Sequence, residues 1–349
     1  MKKIFFFSFC FFILILAVSG NTENDEIQWN KFKKKFNKLY EPLENSRRFA
    51  IFKDNVDLIN KHNSDPSRGF KLGINQFSDL TNEEYQQKYL YQHRKNEKKD
   101  LPQQSDKVHD HKNLKTVPES IDYRDEGLVT EIQDMGQCEG CWSFAVVAAM
   151  EGCVAKETDE LIKLSEQQLI DCNYDADIGQ KGCDSGYVDY GMDWIIENEG
   201  LTSNVTYPYV GYTNQCSETD DLVSTITGYH KVRLSEYYVR FALYNQGPLV
   251  CSVDAHTSEF QLYSSGIFYD DTCSSEDADL NHSMAIVGYG SGNVTNTSDS
   301  DYDTSGDYWI VKNSWGTTFG DKGYIYMSRG SNNCGILNEV YYPSGCSLV

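Results

Sequence analysis

Basic residues are scarce in most of this chain. Its 349 residues carry 31 Lys and Arg against 52 Asp and Glu, a formal net charge of −21. No extended basic face can be assembled from that balance, which excludes nucleic-acid binding as the main task. Long apolar runs are missing as well. The one continuous stretch, Ile4 to Val18, falls short of the roughly 20 residues a bilayer-spanning helix needs, and no later segment approaches it. Lys2 and Lys3 before that run, with Ala17, Ser19 and Gly20 after it, make residues 1–20 a cleavable secretory signal and leave no membrane anchor once it is removed. A secretory address also changes the meaning of the 11 cysteines, because thiols in an oxidising compartment are mostly paired.

Against that background one stretch stands out, Gln137-Cys138-Glu139-Gly140-Cys141-Trp142-Ser143-Phe144. Cys141 opens an apolar, helix-forming run to Cys153, so its thiol sits at a helix N-terminus. The positive end of the macrodipole favours thiolate there, and a neighbouring imidazolium favours it further. On these letters alone a redox pair or half of a zinc site remains open.

The flanking organisation is readable from periodicity. From Gln28 to about Asn63 the pattern is helical, with Trp29, Phe32, Phe36, Phe49, Phe52, Val56 and Ile59 at roughly helical spacing. Tyr91 to Lys115 is polar and charged, as a linker is, and His109 and His111 within it read as solvated residues. Cys141 to Lys156 is a helix; Ser165-Glu166-Gln167-Gln168 caps another ending at Cys172; Tyr187 to Asn198 is a third. Beyond a helix at Leu234 to Asn245 come strands at Leu249–Val253, Gly266–Tyr269, Ser283–Tyr289, Tyr308–Lys312 and Gly323–Met327, separated by glycine-rich turns. The fold class is α+β, with a helical lobe, an antiparallel barrel-like lobe and a cleft between them.

The run Cys-x-x-Cys-Trp-Ser-Phe-Ala, then His282 in Asn281-His282-Ser283-Met284-Ala285, then Asn313-Ser314-Trp315-Gly316 resembles the papain-like cysteine proteases in order and spacing. The resemblance extends upstream. Glu44, Arg48, Phe52, Asn55, Ile59 and Asn63, followed by Gly73, Asn75, Phe77 and Asp79, match the two motifs of cathepsin L-like propeptides. It implies three segments: a signal at 1–20, an inhibitory propeptide and linker at 21–116, and a papain-like peptidase domain at 117–349. It also implies that Cys141 is the nucleophile, that His282 moves the proton, and that Asn313 orients His282 under Trp315. No metal or organic cofactor is needed. Implied pairings are Cys138–Cys183, Cys172–Cys216 and Cys273–Cys334. Cys153, Cys251 and Cys346 are left over; the sequence does not say whether two of them pair, and Cys153 and Cys251, in apolar runs, are expected as buried rather than reactive thiols. Substrate would meet Ser185, Gly186 and Trp315, with Tyr187, Leu280, Ser283 and Glu339 forming the pocket for the second side chain before the scissile bond. An acid at Glu339 suggests tolerance of Arg there beside Phe or Leu.

Divided at the implied boundary, residues 21–116 carry a net +4 and residues 117–349 a net −27. Docking is therefore expected to be partly electrostatic, with release on acidification. Expected partners are protein and peptide substrates, the chain's own propeptide and cystatin-type inhibitors. The enzyme is expected to be a monomer, lysosomal, vacuolar or extracellular. Sequons at Asn204, Asn293 and Asn296 are glycosylation candidates, the last two in a polar insertion, Ser291 to Asp307, expected to form a surface hairpin. The sequon at Asn281 should stay unmodified beside the base.

Several positions break the family pattern. Met135 stands where the oxyanion-hole Gln belongs, and a thioether donates no hydrogen bond. Glu139 replaces a Gly, expected near the leaving-group side; Gly140 replaces a Ser, Ser185 a Gly and Phe319 a second shielding Trp. These changes keep alive a rival reading, a weakened homologue that binds peptides or proteins without efficient turnover. A thiol-dependent transferase using the same pair is the other.

Overall fold

The computed structural model describes residues 24–91, 116–217, 219–294 and 305–349. The signal at 1–20, the linker histidines and Asn296 lie outside them. No helix among the described residues is long and apolar enough to cross a membrane.

The N-terminal segment is two helices rather than one. Helix α1 covers 24–35, and α2 runs Pro42–Asn63. The break has a local cause: Asn37 takes a left-handed φ of 51°, and Pro42 lacks the N–H a continuing helix would use but suits a first turn. Trp29, Phe32 and Phe52 form the crossing, all buried. Strand β1 (Phe70–Leu72) and helix α3 (Asn82–Tyr89) complete the unit.

The propeptide-type motif positions each have a structural task. Arg48, only 8% exposed, bridges Glu44 and Glu84 at 2.6 Å each. Burial opposes ionisation of Glu84, but its bonds to Arg48 and the Thr81 amide win and hold its pKa at about 2. Asn55 donates to the carbonyls of Ser78 and Leu80, and Asn63 pairs with both backbone groups of Leu72. Asp79 is fully buried, held by Lys38 at 3.2 Å and by the Tyr40 hydroxyl.

The rest of the chain forms two lobes. Strand β2 (Ile121–Asp122) leads to the long helix α4 (Cys141–Thr158), then α5 (Glu166–Cys172) and α6 (Val188–Glu197). Ser165 caps α5 by accepting from the Gln168 amide. Short strands β3 (Leu201–Thr202), β4 (Leu222–Thr225) and β5 (Gly228–Lys231) close this side, and α7 (Glu236–Gln246) crosses to the second lobe. There follow β6 (Leu249–Val253), α8 (Ser258–Gln261), β7 (Tyr263–Phe268), β8 (His282–Asn293), β9 (Ser305–Lys312), β10 (Tyr324–Ser328), β11 (Val340–Ser344) and β12 (Ser347–Leu348). The large sheet has the order β1-β7-β10-β9-β8-β6-β11-β5, with β2 on β8. All its pairs are antiparallel except β7 with β10, where two residue pairs run parallel. The expected antiparallel lobe is thus corrected at one edge, where a segment of the propeptide, β1, adds on by pairing with β7. Strands β8 and β9 extend into the polar insertion to Asn293 and from Ser305.

The three implied disulfides form, and a fourth joins Cys153 to Cys346 across 193 residues of sequence. Cys153 is therefore not a buried thiol as expected. It lies on the face of α4 that packs beside the chain end, and the sequence alone offered no spacing rule to pair them. Cys141 and Cys251 are the free cysteines among the described residues, both buried. A cross-link of this span typically contributes about 2–4 kcal/mol through the unfolded chain. The double variant Cys153→Ala/Cys346→Ala should unfold at a clearly lower temperature in calorimetry of the precursor; an unchanged midpoint would rule out a stabilising role for this staple.

Candidate active site

Cys141 is the first residue of α4, and two neighbours fix its approach. The Cys138–Cys183 bridge ties the preceding loop to the 182–186 turn. Gly140 caps the helix where a Cβ would meet Ile170 at 2.9 Å and the Cys138 sulfur at 3.2 Å, so packing explains why a side chain is absent here. The Cys141 sulfur accepts from the Ser283 backbone N–H at 3.5 Å. That contact sets the start of β8, and with it His282, beside the start of α4.

His282 Nε2 lies 2.8 Å from Asn313 Oδ1. Because that oxygen only accepts, the proton sits on Nε2, and Nδ1, buried and without a hydrogen-bond partner, is the free base. Asn313 follows directly on β9, whose pairing with β8 brings it to His282. Trp315 stacks on the imidazole with centroids 4.3 Å apart and is 1% exposed. Phe319 meets Trp315 edge-on at 4.8 Å, keeping the aromatic backing that the missing Trp would provide. The three expected catalytic residues are thus brought together, with the imidazole–amide bond shielded from water.

The propeptide unit covers this arrangement. Phe77 lies edge-on to Trp315 at 5.2 Å, and Gln76 donates to the Trp315 carbonyl at 2.6 Å while accepting from Thr318. Tyr85 donates to the Ala255 carbonyl at 3.0 Å. Under this cover, burial pushes the Cys141 thiol up to about 12, with the Ser283 N–H opposing and Glu139 adding to the rise. Burial likewise presses the His282 imidazole down to about 4, against its bond to Asn313. Both shifts favour thiol with neutral imidazole over the ion pair. In this covered state the Cys141 thiol is kept neutral by burial as well as covered by the propeptide unit.

Around the pair, Leu280, Ser283 and Tyr187 are buried and Glu339 is partly exposed. Gly186 packs so closely on the Trp142 ring that a Cβ would meet it at 2.4 Å. Ser185 turns its hydroxyl away onto the Gly179 carbonyl at 2.9 Å, so replacing the usual Gly leaves its backbone course intact. Glu139 follows Cys138, whose bridge to Cys183 ties it to the 182–186 turn. Its amide bonds the Cys183 carbonyl at 2.8 Å, and its carboxyl, raised to about 8 by burial and by Asp184, lies against the turn that carries Ser185 and Gly186. Met135 is fully buried. Its N–H bonds the Ser314 carbonyl, its carbonyl accepts from Tyr209 at 2.7 Å, and its sulfur accepts from the Ser314 hydroxyl at 3.6 Å. Asn281 accepts from the Ala255 N–H at 2.8 Å and donates to Asp254 at 2.8 Å.

One pocket residue was not anticipated. Ser252 lies opposite Ser283 in the β6–β8 ladder, their hydroxyl oxygens 3.1 Å apart. The signal was available: Ser252 is the polar residue in the otherwise apolar strand Leu249–Val253.

This constellation, a helix-borne thiol beside an imidazole held by an amide and an aromatic plate, defines a thiol hydrolase with its inhibitor attached. Residues 117–344 match the papain family cysteine proteases and residues 29–85 the cathepsin propeptide inhibitor domain. The chain is 38% identical over 338 residues to "Cysteine proteinase 2" of Dictyostelium discoideum, covering 88% of this chain and 89% of that one. It is 35% identical to "Procathepsin L" of Rattus norvegicus, covering 94% and 95%. Among solved structures, the digestive procathepsin L 3 of the Tenebrio molitor larval midgut superposes with a TM-score of 0.77 at 36% identity, covering 92% of this chain and 99% of that one. The chain belongs to the papain family of cysteine proteases. It is a cysteine endopeptidase carrying its own inhibitory propeptide.

The shifted groups make a measurable prediction. At pH 7 the precursor's Cys141 should alkylate with iodoacetamide far more slowly than a free cysteine, and at least tenfold faster once the propeptide is removed. Equal rates before and after removal would contradict the covered, neutral pair.

Proposed function

We propose that this protein is a secreted or lysosome-type endopeptidase, made as an inactive precursor and activated in acid, that hydrolyses peptide bonds through Cys141, His282 and Asn313. The observation that carries the reading is the 2.8 Å His282–Asn313 bond under Trp315, one residue from the N–H that touches the Cys141 sulfur. Cys141 attacks the peptide carbonyl. His282 protonates the leaving amine through Nδ1 while Asn313 holds the ring, and the Cys141 amide at the helix N-terminus stabilises the oxyanion. Residues 1–20 are removed as a signal and 21–116 as the propeptide, leaving 117–349. Proteins and peptides are substrates, cystatin-type inhibitors are fitting partners, and the mature enzyme is a monomer. Glu339 gives the second-position pocket a carboxylate for Arg. Acidified precursor should be labelled at Cys141 by an epoxide thiol trap and turn over fluorogenic peptides. Peptide turnover that survives Cys141→Ala would sink this assignment.

Acid activation has a candidate group. His62 is 6% exposed, stacks on Phe70 with centroids 4.5 Å apart, and donates from Nε2 to the Phe70 carbonyl at 3.1 Å. Burial lowers its pKa below 6.5; the Phe70 bond, Glu259 and Asp65 oppose, and Arg68 assists. A folded-state pKa below the unfolded one means the stability is fully present above pH 6.5 and is lost as pH falls toward the folded value. Protonated His62 thus loosens β1, the strand that docks on β7. Glu84, held near pH 2, stays ionised through that window. His62→Gln should keep the amide-to-carbonyl bond without titrating, so precursor processing followed on gels should need a lower pH than wild type.

The second reading, a weakened homologue, is favoured by Met135 alone. Losing one oxyanion donor costs about 10²–10³ in turnover in comparable hydrolases. Met135→Gln should therefore raise kcat by at least tenfold with little change in KM. No gain in kcat would mean that another donor already serves the oxyanion.

A further inference from the structure

The last described residue of the propeptide unit, Tyr91, lies inside the cleft. It is 4% exposed, and its phenol hydroxyl shares hydrogen bonds with the hydroxyls of Ser283 and Ser252. These two serines face each other across β6 and β8 and are 1% and 0% exposed. Ser283 is also the residue whose N–H meets the Cys141 sulfur, so the phenol is held one residue from the reacting atom. Cys141 and Glu339 are near enough for their charge to bear on the phenol.

The chemistry of such a pocket is selective. When two buried hydroxyls bond only each other, one proton finds no acceptor, and in a site closed to water that group stays unsatisfied. A phenol oxygen takes that proton and offers its own in return. A phenyl ring or an aliphatic side chain has the shape but no polar atom, and leaves the serine pair one bond short. A site built to bond a substrate hydroxyl discriminates strongly against the analogue lacking it.

Building on the peptidase reading above, we infer that Ser252 and Ser283 form a phenol-reading subsite that selects a tyrosine side chain in peptide substrates, and that Tyr91 is the propeptide's own occupant of it. Glu339 is partly exposed and its charge bears on the phenol, so an arginine that pairs with it leaves the serine hydroxyls without their third partner.

The test uses the full-length protein. After acid activation, kcat/KM is compared for fluorogenic peptides that carry Tyr, Phe, Leu or Arg at the second position before the scissile bond and are otherwise identical. Tyr should exceed Phe by at least about tenfold, and Ser252→Ala should bring the Tyr-to-Phe ratio close to one. Equal rates for Tyr and Phe in the wild type, or a ratio that survives Ser252→Ala, overturns the subsite. A second measurement does not depend on turnover. Unprocessed precursor at neutral pH is exposed to the epoxide trap, and Tyr91→Phe should speed labelling of Cys141 several-fold. If no peptide is cleaved at all, the peptidase reading fails and this labelling decides the subsite alone; an unchanged rate in Tyr91→Phe overturns it.

Discussion

The two lobes are held in register by a charge taken out of water. Lys312, at the end of β9, is 6% exposed and donates to the Thr130 hydroxyl at 2.8 Å. Thr130 in turn donates to Glu151 on α4 at 2.6 Å, and the other Glu151 oxygen accepts from the Leu164 amide at 2.9 Å. Burial presses Lys312 down and Glu151 up, and burial with the charge of Glu151 raises Glu166 to about 8. An ion in this position costs several kcal/mol once it loses its partners. Sliding one lobe past the other would strand the ammonium, so the seam is committed to one alignment.

The reactive groups inherit that alignment. Glu151 and Cys141 share one helix, and Lys312 immediately precedes Asn313. Fixing the ammonium to the carboxylate therefore fixes the helix that carries the thiol relative to the strand end that carries the amide. The loop opposite is tied to both sides as well: the Met135 N–H goes to the Ser314 carbonyl, the Gly316 N–H to the Gln133 carbonyl, and the Met135 carbonyl to the Tyr209 hydroxyl. Met135 is thus held through its backbone on both sides, and its buried thioether takes a hydrogen bond from Ser314 rather than offering one. The departure from the family pattern is built into the scaffold.

Much of this was legible in the sequence because it rests on local rules. A thiol opening an apolar helix, a His at a strand start and an Asn before Trp315 are readable from order and spacing, and β6 runs from Leu249 to Val253 as its apolar pattern indicates. What the sequence hid depends on contacts between distant segments. The Cys153–Cys346 bridge needs α4 to pack against the chain end. Ser252 joins the pocket only through the β6–β8 register, and the parallel meeting of β7 with β10 joins strands that are far apart in the chain. Helical periodicity continued from Gln28 to Asn63 because both helices bury aromatics against one another; only Asn37 and Pro42 marked the turn between them. The nearness of Glu139 to Asp184, 45 residues later, was hidden as well, because the Cys138–Cys183 bridge brings them together.

The charge contrast between propeptide and enzyme acts differently from a set of contacts. Among the described residues no ion pair joins 24–91 to 116–349; the bonds that cross are neutral ones, amide and hydroxyl bonds to backbone carbonyls and to side chains such as Gln76 with Thr318 and Tyr91 with Ser252 and Ser283, together with the β1–β7 ladder and aromatic edges. The opposite net charges thus make no direct contact among the described residues, and the docked surface is held by neutral groups. Exposed ion pairs contribute at most about 1 kcal/mol each, and acid would weaken them gradually. A contact made of buried neutral bonds instead stays intact until a desolvated group is forced to take a proton. On the proposed acid activation, the same dryness that lets Phe77 seal Trp315 over the imidazole would confine the response to titratable side chains packed beneath the propeptide, such as His62.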